Sequence, residues 1–208
     1  EVMNGGYPPI VAYDHGSSQR TTDTYAAYVA AAGARRRTIL PGEMLRLGSE
    51  VVIECVAVNG ATADGQRAPV NDDENASSIA LVVRYRGFEE FIAGDLTAGG
   101  LGTVDVESLL GPRVRDLDVY HVCHHGSESG TSAAFLARTL PEVALISCGT
   151  ANDYGHPAQS ALDRLTQAPS VGTIWPAGNT SMVSRPPLIS PTILPSRWAD
   201  PCITSSAG

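Results

Sequence analysis

The 208-residue sequence has no lysine: all fourteen basic residues are arginine, which excludes a lysine nucleophile or Schiff base and reads as a compositional bias of the source. Cysteine is scarce as well. Cys55, Cys123, Cys148 and Cys202 form no Cys-x-x-Cys pair, so a zinc knuckle or a thioredoxin-type redox site has no support, and three of the four lie in apolar runs as small core residues. No apolar run approaches the roughly 18 residues of a membrane span, and Glu1-Val2-Met3-Asn4 lacks the layout of a signal peptide. An initiator methionine is missing at the start, and the expectation is a chain that begins inside a larger protein. Gly-x-Ser-x-Gly, P-loop and dinucleotide fingerprints are also absent, which sets aside a serine hydrolase elbow and nucleotide-cradling loops. Positive charge is in deficit: a net charge of -8 and a pI near 5.0 exclude an extended nucleic-acid surface, although a bound metal would still attract phosphate locally.

What is present fits one globular domain, with 43% hydrophobic and 17% charged residues in a chain long enough for a sizeable core. Thr21-Thr22-Asp23 supplies capping side chains for a helix over 24–32, where Tyr25, Tyr28, Val29 and Ala32 recur at helical spacing. Strands are predicted at 38–40, 44–47, 51–58, 79–85 and 88–93, from β-branched content and alternation, with a long polar loop over 59–77. A Gly-rich loop over 97–102 then precedes a helix at 104–110 and a buried strand at 117–123. Helices at 132–139 and 158–166 alternate with strands at 143–148 and 172–175. Strands first and strand-helix alternation afterwards indicate an α/β layered domain over residues 1–183, and the Pro- and Ser-containing stretch 184–208 reads as a tail.

Two predicted strands end abruptly in groups able to bind metal or move protons. Ile92-Ala93-Gly94-Asp95 delivers a carboxylate, and His121-Val122-Cys123-His124-His125-Gly126-Ser127 delivers two adjacent imidazoles. Asp95 alone reads equally well as a helix cap. Two histidines at a strand end are more specific, with Gly126 permitting close backbone approach and Ser127 able to hold a ligand by hydrogen bonding. His156, in Gly155-His156-Pro157, either orients a phosphate and donates a proton to a leaving oxygen or simply ends a loop. Asn75 and Ser77 precede a strand and could support the metal edge, while Asp72-Asp73-Glu74 reads as a solvated acidic run. His121 falls three positions from His124 and is expected on the opposite side; His15, in a loop beside Asp14, is read as non-catalytic.

The ordered set Asn75-x-Ser77, Gly94-Asp95, His124-His125-Gly126-Ser127 and Ser147-x-Gly149-x-x-Asn152-x-Tyr154-Gly155-His156-Pro157 resembles the metallo-β-lactamase superfamily, and within it the branch related to the hydrolase domain of the competence protein ComEC. The resemblance spans roughly residues 1–180. It implies an αββα sandwich, two metal ions, zinc as a rule with manganese the alternative, and hydrolysis of phosphodiesters or related esters. It carries a metal-ligand role to Asp95 and to His124 or His125, and leaves open which histidine it is.

The chain departs from that family in one respect. The His-x-His-x-Asp-His motif that supplies most of the family's ligands is absent, and only five histidines occur in all. The resemblance therefore covers the C-terminal portion of the domain, so the sandwich is expected to be partial, with a bare sheet edge, exposed apolar faces and an incomplete metal site. Against a metal-dependent hydrolase stand a binding or scaffold module that keeps the fold without catalysis, and an enzyme that completes its site across a subunit boundary.

Overall fold

A computed structural model describes residues 8–16, 22–111, 113–149, 152–177 and 183–184. The tail expected from 184 onward lies outside the described residues apart from Ser184. A short parallel pair comes first, β1 (Ala12–Asp14) with β2 (Arg36–Thr38), joined through helix α1 (Asp23–Ala32), whose cap is Thr22: its hydroxyl accepts from the Tyr25 amide.

The body of the protein is a nine-stranded mixed sheet. Strands β3 (Met44–Leu47), β4 (Val51–Val58), β6 (Ala80–Tyr85) and β7 (Phe88–Ile92) form an antiparallel meander, and the short β5 (Ala61–Thr62) also pairs with β4. A tight turn at Arg86-Gly87, Arg86 at φ 55°, closes the hairpin between β6 and β7. Strands β10 (Val119–His121), β11 (Val143–Ser147) and β12 (Thr173–Ala177) then add in parallel to β7, through helices α2 (Ala133–Thr139) and α3 (Gln159–Gln167). A final strand, β13 (Val183–Ser184), runs antiparallel to β12. The α/β expectation is met: a large sheet with a helical cover forms one layer pair, compatible with an α/β sandwich.

The core explains the layering. Cross-strand register aligns Glu54, Val82, Phe91, Tyr120, Ala144 and Ile174 in one row, every member buried. Phe135 of α2 packs on this row, its ring centroid 5.3 Å from Phe91 and 5.4 Å from Tyr120, and Leu136 and Leu165 extend the same cluster. Glu54 is tolerated there because Arg84 and Arg113 both donate to its carboxylate, at 2.6 Å and 2.5 Å. On the opposite face the row Val83, Glu90, Val119, Val143 and Thr173 is only half-buried.

Two sequence expectations are corrected. Residues 97–110 are not a Gly-rich loop followed by a helix: Ala98–Gly100 (β8) pairs with Thr103–Asp105 (β9), and only Glu107–Leu109 makes a single 3-10 turn. Leu101 (φ 50°) and Gly102 (φ 80°) form the reversal between the strands, a backbone geometry that the apolar spacing of Val104, Val106 and Leu110 does not reveal. The long loop 59–77 is likewise organised rather than loose: Ala68 N–H bonds Gly60 O, and the Asp73 carboxylate accepts from Ala76 N and Val104 N.

Candidate active site

Because β7, β10 and β11 run parallel, their carboxyl ends lie along one edge of the sheet. Asp95 follows β7, His124 and His125 follow β10, and Ser147 ends β11, so three separate loops converge. The His124 N–H donates to Gly94 O at 2.9 Å and ties the first two loops together. The turn Cys123–Gly126 holds His124 (φ 50°, ψ 44°) and His125 (φ 54°, ψ 21°) in left-handed conformation, followed by Gly126 at φ 78°. Left-handed backbone at two successive non-glycine residues is strained, and it persists only where surrounding contacts dictate it.

Those contacts are explicit. A Cβ on Gly126 would lie 2.7 Å from Pro157 Cβ, and Ala158 N–H donates to Gly126 O at 2.8 Å, so the histidine turn sits directly on the loop that carries His156. Arg164 of α3 donates to the carbonyls of Thr131, Glu128 and Gly130 and fixes the chain just beyond the turn. Buried Glu107 accepts from the amides of Thr131 and Ser132 at 2.6 Å and 2.9 Å.

The two histidines have different environments. His125 Nδ1 lies 2.6 Å from the Ser147 carbonyl oxygen, which can only accept, so Nδ1 carries a proton. A neutral ring then presents the Nε2 lone pair, 3.3 Å from Asp95 Oδ1, another acceptor. Two acceptors face each other, and a positive charge between them, a second ring proton or a cation, satisfies both. Both side chains are accessible, 50% for His125 and 38% for Asp95, so a solute can reach that gap. His124 instead meets Ser129 Oγ through Nδ1 at 3.3 Å, with Ser127 Oγ 3.2 Å beyond, and its ring centroid lies 5.6 Å from that of His156.

The donor set falls short of a metal site. The 3.3 Å between Asp95 Oδ1 and His125 Nε2 matches the edge of a tetrahedron about an ion with bonds of roughly 2.0–2.2 Å. Among the described residues, however, no three His, Cys, Asp or Glu side chains come together to hold an ion. These residues alone do not fit zinc, which takes about three or four protein ligands.

His156 stands beside the pair rather than in it. Its backbone is clamped by Asn152, whose side chain accepts from His156 N–H at 2.9 Å and donates to His156 O at 2.7 Å and Gly149 O at 2.8 Å. Burial holds its imidazole below the ordinary histidine value, the neighbouring His124 and His125 act the same way, and Asp95 opposes them. The ring is therefore neutral near pH 7. Ser77 bonds Asp73 O through its hydroxyl at 3.0 Å, and Asn75 lines a separate cavity of about 440 Å³ beside Asp72, Asp73, Glu74 and Val104. Neither hydrogen-bonds to Asp95 or the histidine pair. Ser78 is the residue of that segment beside the site, its Oγ 3.5 Å from where a Cβ on Gly94 would sit. Sequence reasoning passed over Ser129, and it placed Asn152 and Tyr154 in a motif without giving either a role; Tyr154 stacks on His156. His121 lies in β10 in register with Leu145, away from the pair, and His15 bonds Glu74 at 2.9 Å.

Comparison with known proteins adds relatives but no family model: none matches the chain. The chain is 35% identical over 98 residues to ComE operon protein 3 of Bacillus subtilis, covering 47% of this chain and 12% of that protein. It is 36% identical over 97 residues to competence protein ComA of Neisseria gonorrhoeae, covering 46% and 13%. It is also 30% identical over 92 residues to recombination protein 2 of Haemophilus influenzae, covering 44% and 11%. The chain thus spans about an eighth of the length of the curated relatives it matches. A solved structure from Parabacteroides distasonis, provisionally described as a metal-dependent hydrolase, aligns with a TM-score of 0.43 at 11% identity, over 76% of this chain and 61% of that one.

Proposed function

We propose that the chain is part of a metal-dependent hydrolase of the metallo-β-lactamase type that cleaves phosphodiesters or related esters, with Asp95 and His125 the ligands this segment contributes. The observation that carries the reading is the facing of Asp95 Oδ1 and His125 Nε2 across 3.3 Å, with the other ring nitrogen held by the Ser147 carbonyl. An imidazole oriented through its second nitrogen is how a histidine ligand is commonly fixed. The remaining donors come from outside the described residues, and zinc or manganese is the ion proposed. The relatives named for competence and recombination favour a phosphodiester over a carboxylic ester, and the net charge of -8 supports recognition at the site rather than along a broad basic surface.

Within this chain, His124 packs the His156 ring into place, Ser129 and Ser127 orient His124, and neutral His156 accepts a proton from the attacking water and then returns it to the leaving oxygen. A scaffold module without catalysis is the competing reading, and metal affinity separates the two. Zinc affinity of the 208-residue chain, measured by competition with a chromophoric chelator, is expected to fall at least about tenfold in Asp95→Ala and in His125→Ala, and less in His124→Ala. Zinc uptake that is unchanged in both variants, or no uptake above that of a metal-free control protein, would sink the reading.

A further inference from the structure

Three successive amides hold the entry to the histidine turn, and each has a different partner. Val122 N–H donates to Leu145 O at 2.8 Å, Cys123 N–H to the Tyr120 hydroxyl at 3.2 Å, and His124 N–H to Gly94 O at 2.9 Å. Only the middle partner is a side chain. Tyr120 is fully buried, and its hydroxyl also meets the Thr131 hydroxyl at 2.8 Å. Thr131 is itself in an unusual state: it is β-branched, wholly buried and left-handed at φ 59°, a conformation that costs energy for such a residue. All of its polar groups are engaged. Its N–H donates to Glu107 at 2.6 Å, its carbonyl accepts from Arg164 at 2.8 Å, and its hydroxyl lies on Tyr120. Close packing completes the joint, since a Cβ on Gly130 would lie 3.2 Å from Cys123 O.

We propose that Tyr120 is a positioning residue: its hydroxyl joins the Cys123 amide to the Thr131 hydroxyl and so holds the turn in which His125 presents Nε2 to Asp95. The hydrolase reading gives the turn its purpose, and the proposal rests on it in that respect alone. A phenol suits the role because one oxygen can accept from an amide and donate onward, and of its two partners here only Thr131 Oγ1 can take the phenolic proton. The ring is fixed without the hydroxyl. Its centroid lies 6.1 Å from Phe91 and 5.4 Å from Phe135, so phenylalanine would fill the same space and lack only the oxygen. The constraint then passes along the chain. Cys123 precedes His124, whose amide is tied to the Asp95 loop, and His125 follows, with Nδ1 2.6 Å from Ser147 O and Nε2 3.3 Å from Asp95 Oδ1. Without the Tyr120 hydroxyl the buried Cys123 amide has no acceptor, and the turn relieves that loss by opening toward water.

The test reads the His125 ring in the metal-free 208-residue chain by long-range proton–nitrogen NMR, in alkaline buffer where imidazoles are neutral. Wild type is expected as the Nδ1–H tautomer that the Ser147 carbonyl requires. In Tyr120→Phe the ratio of Nδ1–H to Nε2–H is expected to fall about fivefold or more. Thr131→Val, which removes only the onward hydroxyl, is expected to act in the same direction, and Thr131→Ser to keep the wild-type ratio. Val82→Ala truncates the buried row two strands from Tyr120 and serves as the control: it is expected to lower stability and leave the tautomer unchanged. A ratio unchanged in Tyr120→Phe, or one that falls equally in Val82→Ala, overturns the positioning role and leaves the hydrolase reading standing; if Tyr120→Phe does not fold, Thr131→Val decides in its place. A wild-type ring without the Nδ1–H form overturns the positioning role together with the observation that carries the hydrolase reading. Absence of zinc uptake sinks the hydrolase reading and leaves the tautomer result intact.

Discussion

Gly126 is where side-chain size and site geometry meet. At φ 78° it closes a turn whose two preceding histidines are also left-handed, and Pro157 fills the space a side chain would need. Gly126→Ala therefore combines a strained backbone with a 2.7 Å collision against Pro157 Cβ, and a loss of about 1–3 kcal/mol in unfolding free energy is expected from denaturant titration. Unchanged stability would mean that the two loops do not pack as described. At this scale the motif residues were legible as residue types, and their division of labour was not. Nothing in the letters His124-His125 says which ring faces Asp95; the Ser147 carbonyl, twenty-two residues away, decides it.

Among the elements, the short turn Glu107–Leu109 matters more than its length suggests. The Glu107 carboxylate is fully buried and receives the two amides that lead into α2, while Arg138 of that helix donates back to Glu107 O. Burial raises the Glu107 pKa above its usual 4.5, against the lowering effect of the amide hydrogen bonds. A raised folded-state value means that the folded protein holds this proton more tightly than the unfolded chain does. The stability it contributes is complete below the unfolded pKa and is lost as pH rises through the folded one. Melting temperature is accordingly expected to fall from about pH 4.5 upward in wild type, and to fall less steeply in Glu107→Gln, which carries no titrating group. Parallel pH profiles of the two proteins would overturn this. The sequence reading placed a helix over 104–110. The structure instead puts Val104 and Asp105 in the second strand of a hairpin and leaves a single 3-10 turn at Glu107–Leu109, with the Asp73 carboxylate accepting from the Val104 amide.

Among the described residues, the two faces of the sheet are covered unequally. Helices α2 and α3 pack on the row that runs to Ile174, whereas Val83, Val119 and Val143 on the reverse remain half-buried, with Ile92 and Leu145 beside them; Leu81, on the same side, packs against a small second cluster of Ile39, Cys55 and Val58. Apolar area left in contact with water drives association. The chain is expected to self-associate reversibly with rising concentration in sedimentation velocity runs, and Val83→Lys to weaken that association at least about tenfold, since a charge on such a face is costly to bury. A wild-type chain that stays monomeric at every concentration would contradict the expected exposure. Among the described residues no helix is long and apolar enough to cross a membrane.

The sequence by itself determined the α/β class, most of the strands, and the residue types brought to one edge, because alternation, β-branched content and strand-terminal polar groups are local signals. Tertiary structure decided the rest. Parallel pairing of β7, β10 and β11 carries Asp95, His125 and Ser147 to a common edge, and the left-handed turn on Pro157 aims the rings. The Asn152 clamp fixes the backbone of His156, whose ring stacks against Tyr154. Each of these is a contact between distant segments, whose geometry follows from how the sheet closes and not from any short run of residues.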